Sequence, residues 1–287
     1  MSLLVLDPGP LALVEDDGRA GRAALGVGRS GAMDRNARRT ANRLLGNAEH
    51  AAVLELLGAG FAARFEADTW ISLGGAAGVA TLDGRALDRL LPALARAGSV
   101  LRLGPLPTGL RRTLAVRGGV EVPVVLGSRS RDTLSGLGPE PLRAGDVLPV
   151  GSARGPVLPV DWWPFDAPGA WITLDLHPGP RLERLPDGTW QRLLAAPWTV
   201  SGEADRVGVR LRGSPLPTGD SSELPSEGLV HGSVQLPPSG LPVVFGPDHP
   251  VTGGYPVVAV VDSASLDLLA QLVPGSPVSL RAARRRG

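Results

Sequence analysis

Val53-Leu-Glu-Leu-Leu57-Gly-Ala-Gly-Phe61-Ala-Ala-Arg-Phe65-Glu-Ala-Asp-Thr-Trp70-Ile-Ser-Leu73 sets three apolar β runs in close succession: Val53–Leu57, Phe61–Phe65 and Trp70–Leu73. Working outward, similar runs occur upstream at Leu3–Leu6 and Leu11–Val14 and downstream at Val79–Leu82, Val100–Leu103 and Thr113–Val116. One convincing helix interrupts them. Asp34 is placed to cap it, Ala37, Ala41, Leu44 and Leu45 form its apolar stripe, and Gly46-Asn47 ends it. Short strands with glycine-rich turns and no regular helical alternation favour a barrel or sandwich over a parallel α/β sheet.

The composition shifts at Gly151–Pro168, where glycine and proline are too dense for a regular element. A boundary here divides the chain into domains 1–160 and 161–287, with the Trp162-Trp163 pair expected to pack them together. Beyond it come a strand at Ile172–Leu176, a helix near Gly188–Ala195, and strands at Thr199–Val200, Val207–Leu211, Val243–Phe245 and Val257–Val261. A last helix, Ser263–Leu272, is expected with Asp262 or Ser263 as its cap.

With 287 residues, 43% hydrophobic and 20% charged, the chain can bury a large core. A net charge of +1 supplies no field for nucleic acid or an anionic membrane. The ending Arg281-Ala-Ala-Arg-Arg-Arg-Gly287 reads as a solvated basic tail. No apolar run approaches the roughly 18 residues of a membrane span, and Met1-Ser-Leu-Leu-Val-Leu-Asp7 reads as a strand rather than a signal peptide. The expectation is a cytoplasmic protein.

Two absences exclude chemistry. Without cysteine there is no thiol nucleophile, disulfide or thiolate metal site. Without lysine, since all 29 basic residues are arginine, there is no attached biotin, lysine Schiff base or Walker A loop. No serine stands in a nucleophile elbow, and His50, His177, His231 and His249 lack metal-ligand spacing. His177 and His249, each beside a proline, read as surface residues, and no metal site is expected.

The richest corner is Gln235-Leu-Pro-Pro-Ser-Gly-Leu-Pro-Val-Val-Phe-Gly-Pro-Asp248-His-Pro-Val-Thr252-Gly-Gly-Tyr255-Pro256. A buried strand breaks at Gly246-Pro247 and delivers Asp248, Thr252 and Tyr255, the single tyrosine, on a loop. Gly253-Gly254 allows positive φ or a close approach to a ligand. Asp34, Asp205, Glu227 and Asp248 are the candidate carboxylates for general-base work; Arg129 and Arg206 are candidates for bidentate anion binding. Asp34 precedes Glu55 by 21 residues and Asp205 precedes Glu227 by 22, a spacing that suggests an internal echo.

The ordered set Ser30-Gly-Ala-Met-Asp34, Asn42-Arg-Leu-Leu-Gly-Asn47, Leu54-Glu55, Leu114-Ala-Val-Arg-Gly-Gly119 and Val125-Leu-Gly-Ser-Arg-Ser130 carries a resemblance. It continues through Leu142-Arg-Ala-Gly-Asp146, Asp205-Arg-Val-Gly-Val-Arg-Leu211, Ser226-Glu-Gly228, Gln235-Leu-Pro-Pro238 and Thr252-Gly-Gly-Tyr-Pro256. The series resembles the bacterial 5-oxoprolinase C-subunit family, also described as biotin-dependent carboxyltransferase-like, allophanate hydrolase subunit 2-like, or the antagonist of a sporulation kinase inhibitor.

That resemblance implies a mainly β fold of two cyclophilin-like β-barrel domains with a few short helices. It also implies partners: a homologue of the 5-oxoprolinase B-subunit, which is kinase-inhibitor-like, and the A-subunit. The three would act together to open 5-oxo-L-proline to L-glutamate, with ATP bound on a partner. In that setting Arg129 or Arg206 would hold the substrate carboxylate. Asp248, Glu227 or Asp34 would hold or deprotonate the lactam or water, and Thr252 and Tyr255 would orient the carbonyl. Ser30 and Gln235, in matching motifs, join the substrate-binding set. The alternatives are a urea-carboxylase-like carboxyltransferase that receives a carboxyl group from biotin on another protein, and a non-enzymatic antagonist of a kinase-inhibitor homologue. Val207 and Val209 replace the methionine and tyrosine usual in the family, and Asp248-His-Pro-Val-Thr252 replaces Asp-Arg-Gln-Thr-Thr, which questions the substrate more than the fold.

Overall fold

The computed structural model describes residues 1–153, 155–161, 171–219 and 224–284. Trp162 and Trp163 lie outside them. The chain divides into two compact units, one of 1–20, 30–132 and 136–167, the other of 21–29, 133–135 and 168–287. Among the described residues no helix is long and apolar enough to cross a membrane.

In the first unit, Val53–Leu57 lies between Leu11–Glu15 and Arg111–Val116 in a five-stranded sheet completed by Thr69–Gly75 and Ala93–Ala95. A six-stranded sheet runs in the order Val147–Pro149, Ser2–Asp7, Ala62–Phe65, Val100–Leu103, Ala80–Leu82, Arg85–Ala86. Leu3, Val5, Phe65 and Leu101 from this sheet meet Val14, Leu54, Ile71 and Leu114 from the other in one buried core. Arg111–Val116 is buried at every position, as a central strand covered on both faces must be. Its second cover is helix α1 (Arg35–Leu44), whose Ala41 packs with Leu45, Val53 and Ala115. Asp34 caps α1 by accepting the Ala37 N–H at 2.8 Å. Gly74 lies close beneath this helix, where a Cβ would stand 3.0 Å from the Ala37 carbonyl oxygen, a tight contact.

The second unit holds a closed barrel of seven strands: Ile172–Pro178, Val257–Val261, Ser233–Gln235, Val243–Phe245, Gly208–Arg212, Trp198–Val200 and Pro277–Ala282. Closure leaves no edge to aggregate. Helix α2 (Thr189–Ala195) matches its expected position. Two expectations change. The segment expected as a capped helix at Ser263–Leu272 is a 3-10 helix over Leu266–Gln271 without a side-chain cap, its three-residue period bringing Leu266 and Leu269 to the buried side. Arg281 belongs not to a frayed tail but to the last barrel strand, where it pairs with Asp175 through Nε at 2.7 Å and Nη2 at 3.0 Å.

Candidate functional site

The Gly246 corner forms as its sequence suggests, for a reason the sequence does not display. Val243–Phe245 is a barrel strand, and the Gly246 and Asp248 N–H groups then donate to the Val207 and Arg206 carbonyls. A Cβ on Gly246 would stand 2.2 Å from the Arg206 oxygen, so only glycine permits this approach. The turn drives Asp248 inward to zero exposure. Arg206, itself 2% exposed, donates from Nε to Oδ2 at 2.9 Å and from Nη2 to Oδ1 at 3.1 Å. Thr133 adds its N–H at 3.0 Å and its hydroxyl at 2.7 Å, both to Oδ2. A buried carboxylate needs such pairing. Asp248 and Arg206 thus hold each other closed.

Around this pair the other candidates separate. Tyr255 is 49% exposed and Thr252 is exposed, whereas Asp248 is fully buried. Gln235, almost fully buried, donates from Nε2 to the Tyr255 carbonyl at 2.9 Å and so fixes the backbone that carries the ring. Neither Gly253 nor Gly254 has positive φ. Gly253 instead makes room for the Gln235 amide, which a Cβ would meet at 2.7 Å. Glu227 pairs with Arg181, whose Nε lies 2.9 and 3.0 Å from its two oxygens, and this hydrogen bonding holds its carboxyl below the ordinary value. Glu227–Gly228 pairs with Thr252–Gly253 in a two-stranded ribbon. His249 is buried rather than superficial, its Nδ1 2.8 Å from the Pro250 oxygen, while His177 pairs with Asp262 at 2.8 Å.

In the first unit Asp34 is a helix cap, and the Ser30 hydroxyl donates to the Arg131 carbonyl at 3.0 Å. Arg129 donates through Nε to Val122 O at 2.9 Å and through Nη2 to Glu121 at 2.7 Å. The hub here is Asp16, which sequence reasoning missed. Its carboxylate accepts the Ser128 and Ser130 hydroxyls at 2.5 and 2.6 Å and the Arg129 and Gly18 N–H groups at 2.6 and 2.8 Å. Burial pushes the Asp16 carboxyl up, and these donors outweigh it, leaving it below its ordinary value. The Ser128 and Ser130 hydroxyls and the Arg129 backbone N–H therefore serve Asp16. Beside it, the buried Arg38 pairs with Asp17 and also donates to the Glu49 carbonyl. The Asp–Glu echo falls on unlike settings. Asp34 caps a helix and Asp205 accepts two turn N–H groups, while Glu55 is buried beside Arg111 and Glu227 is partly exposed.

The second unit opens a cleft of about 450 Å³ at Tyr255. Gly208–Arg212 alternates, with Val209 and Leu211 buried and Arg210 and Arg212 exposed, so both arginines reach the cleft. Val209 thus faces the core. Glu203 also lines the cleft, its Oε2 3.8 Å from Arg210 Nε. Among the described residues no group of three or more His, Asp or Glu residues is placed to hold a metal.

The family model "Carboxyltransferase domain, subdomain A and B" matches residues 25–282. The chain belongs to this family. It is 34% identical over 284 residues to the 5-oxoprolinase C-subunit of Escherichia coli K12, covering 96% of this chain and 89% of the relative. The crystal structure of TTHA0988 superposes with a TM-score of 0.90 at 39% identity over 98% of this chain; the match spans about half, 55%, of that longer chain. Urea amidolyase of K. lactis superposes at 0.89 with 28% identity over 99% of this carboxyltransferase-family chain and 19% of its own length. The mainly β architecture is therefore that of the family's solved members.

Proposed function

We propose that this carboxyltransferase-family chain is the C-subunit of an ATP-dependent 5-oxoprolinase and opens 5-oxo-L-proline to L-glutamate only together with the A- and B-subunits. The observation that carries this reading is the near end-to-end match, at 34% identity, to a protein of that name. ATP would be bound by a partner, since this sequence has no lysine and no phosphate-loop signature. Asp248 and Arg206 act in this reading by setting the corner that carries Thr252 and Tyr255, not by touching substrate. Glu227 and Thr252, on one ribbon near the surface, remain the candidates for contact with a reacting group.

The test is reconstitution. The purified chain alone is expected to turn over no ATP and form no glutamate; the three subunits together are expected to do both, and omission of this chain to abolish glutamate formation. Glutamate production by this chain alone, or undiminished production without it, would overturn the proposal. The family description and the urea amidolyase likeness favour a second reading, carboxyl transfer from biotin carried elsewhere. Avidin separates them: it would block biotin-dependent transfer and leave the 5-oxoprolinase reaction untouched.

A further inference from the structure

We propose that the cleft beside Tyr255 binds a small, ring-bearing carboxylic acid through Arg210 and Arg212. This deepens the 5-oxoprolinase reading and rests on it for the identity of the acid, while the binding itself rests on the geometry. Strand alternation sets the two arginines on one face about 7 Å apart along the backbone. Arg210 has Glu203 at 3.8 Å, and both side chains are well exposed, at 57% and 73%. Among the described residues Arg212 has no ion-pair partner. The cleft therefore carries one positive charge beyond its own carboxylate, on a planar guanidinium suited to bidentate carboxylate binding.

The rest of the lining is two serines, Ser201 and Ser239, and a stiff apolar wall. Leu241, Pro237 and Pro242 contribute to the wall, and Tyr255 presents a half-exposed ring on a backbone clamped by Gln235. A planar or near-planar ring can pack on such a surface while its carboxylate reaches the arginines. The volume of about 450 Å³ falls in the range of small-molecule sites, roughly 300–1,000 Å³. The features together select a compact cyclic monoanion, a class that includes 5-oxo-L-proline, whose lactam N–H and carbonyl can meet the polar side chains of Ser201 and Ser239 in the lining.

Because Tyr255 is the only tyrosine, 13C-tyrosine labelling gives a reporter inside the cleft. Titration of the labelled chain with 5-oxo-L-proline is expected to shift the Tyr255 ring signals saturably in the millimolar range. Arg212→Gln and Arg210→Gln, checked for unchanged thermal unfolding, are each expected to weaken binding about tenfold or more. The uncharged 5-oxo-L-prolinamide and the ringless acetate are expected to leave the ring signals nearly unmoved. Silence up to about 20 mM acid, an equal shift from the amide, or undiminished affinity in both variants would overturn the site. Acetate binding as well as the cyclic acid would reduce it to an adventitious anion contact and overturn the ring requirement. A saturable shift in a chain whose reconstituted complex makes no glutamate would sink the 5-oxoprolinase reading alone. An active complex with a silent Tyr255 would sink the cleft alone.

Discussion

Asp248→Asn should damage the fold of the second unit rather than its chemistry. The carboxylate has zero exposure and takes two hydrogen bonds from Arg206 and two from Thr133. The amide keeps three of these if its oxygen takes the Oδ2 place, but its NH2 then faces Arg206 Nη2, donor against donor. The larger effect is charge: the guanidinium of Arg206, 2% exposed, loses the opposite charge held against it. Breaking one side of a buried pair costs about 3–5 kcal/mol, and the three retained bonds point to the lower end. Such a loss lowers the unfolding midpoint by roughly 10 °C. Thermal unfolding measures it, and hydrogen exchange locates it, since the Gly246 and Asp248 amides bonded to Val207 and Arg206 should exchange faster. The paired apolar variant Asp248→Leu/Arg206→Met should lose much less than the sum of its single changes, because each single change breaks the same buried ion pair. A loss below about 1 kcal/mol for Asp248→Asn, or strict additivity in the double variant, would refute the assignment of this pair as the lock of the corner.

The Asp16 carboxyl is depressed in the folded state, so the stability it contributes is present above the unfolded value of about 3.9 and is lost as pH falls through the lower folded value. Ser128→Ala/Ser130→Ala removes two of its donors and should move the acid-unfolding midpoint to higher pH; an unmoved midpoint in circular dichroism would count against the hub. Gly246→Ala should destabilise by at least about 2 kcal/mol through its clash with the Arg206 carbonyl, whereas Gly228→Ala, with open space around it, should change little; equal urea midpoints for the two would contradict that geometry. Gln235→Leu should keep the barrel but release the Tyr255 carbonyl, seen as narrowed and shifted Tyr255 ring signals; an unchanged spectrum would show the clamp to be idle.

Features encoded over a few residues were legible in the chain alone. The apolar runs at Val53–Leu57 and Val100–Leu103 became strands with those limits, and Asp34 capped the helix that its stripe of alanines and leucines defined. The ordered motifs carried the family, and the lack of cysteine and lysine removed whole classes of chemistry. Pairing across the chain belonged to the folded molecule. Asp248 meets Thr133 across 115 positions, and Asp16 meets Ser130 across 114. Nothing local distinguishes such carboxylates from open catalytic ones, because burial, partner and register are fixed only when sheets close. The same closure turned Val209 inward and Arg210 and Arg212 outward, so a period-two pattern readable in the chain acquired a direction only from the barrel that buries one of its faces.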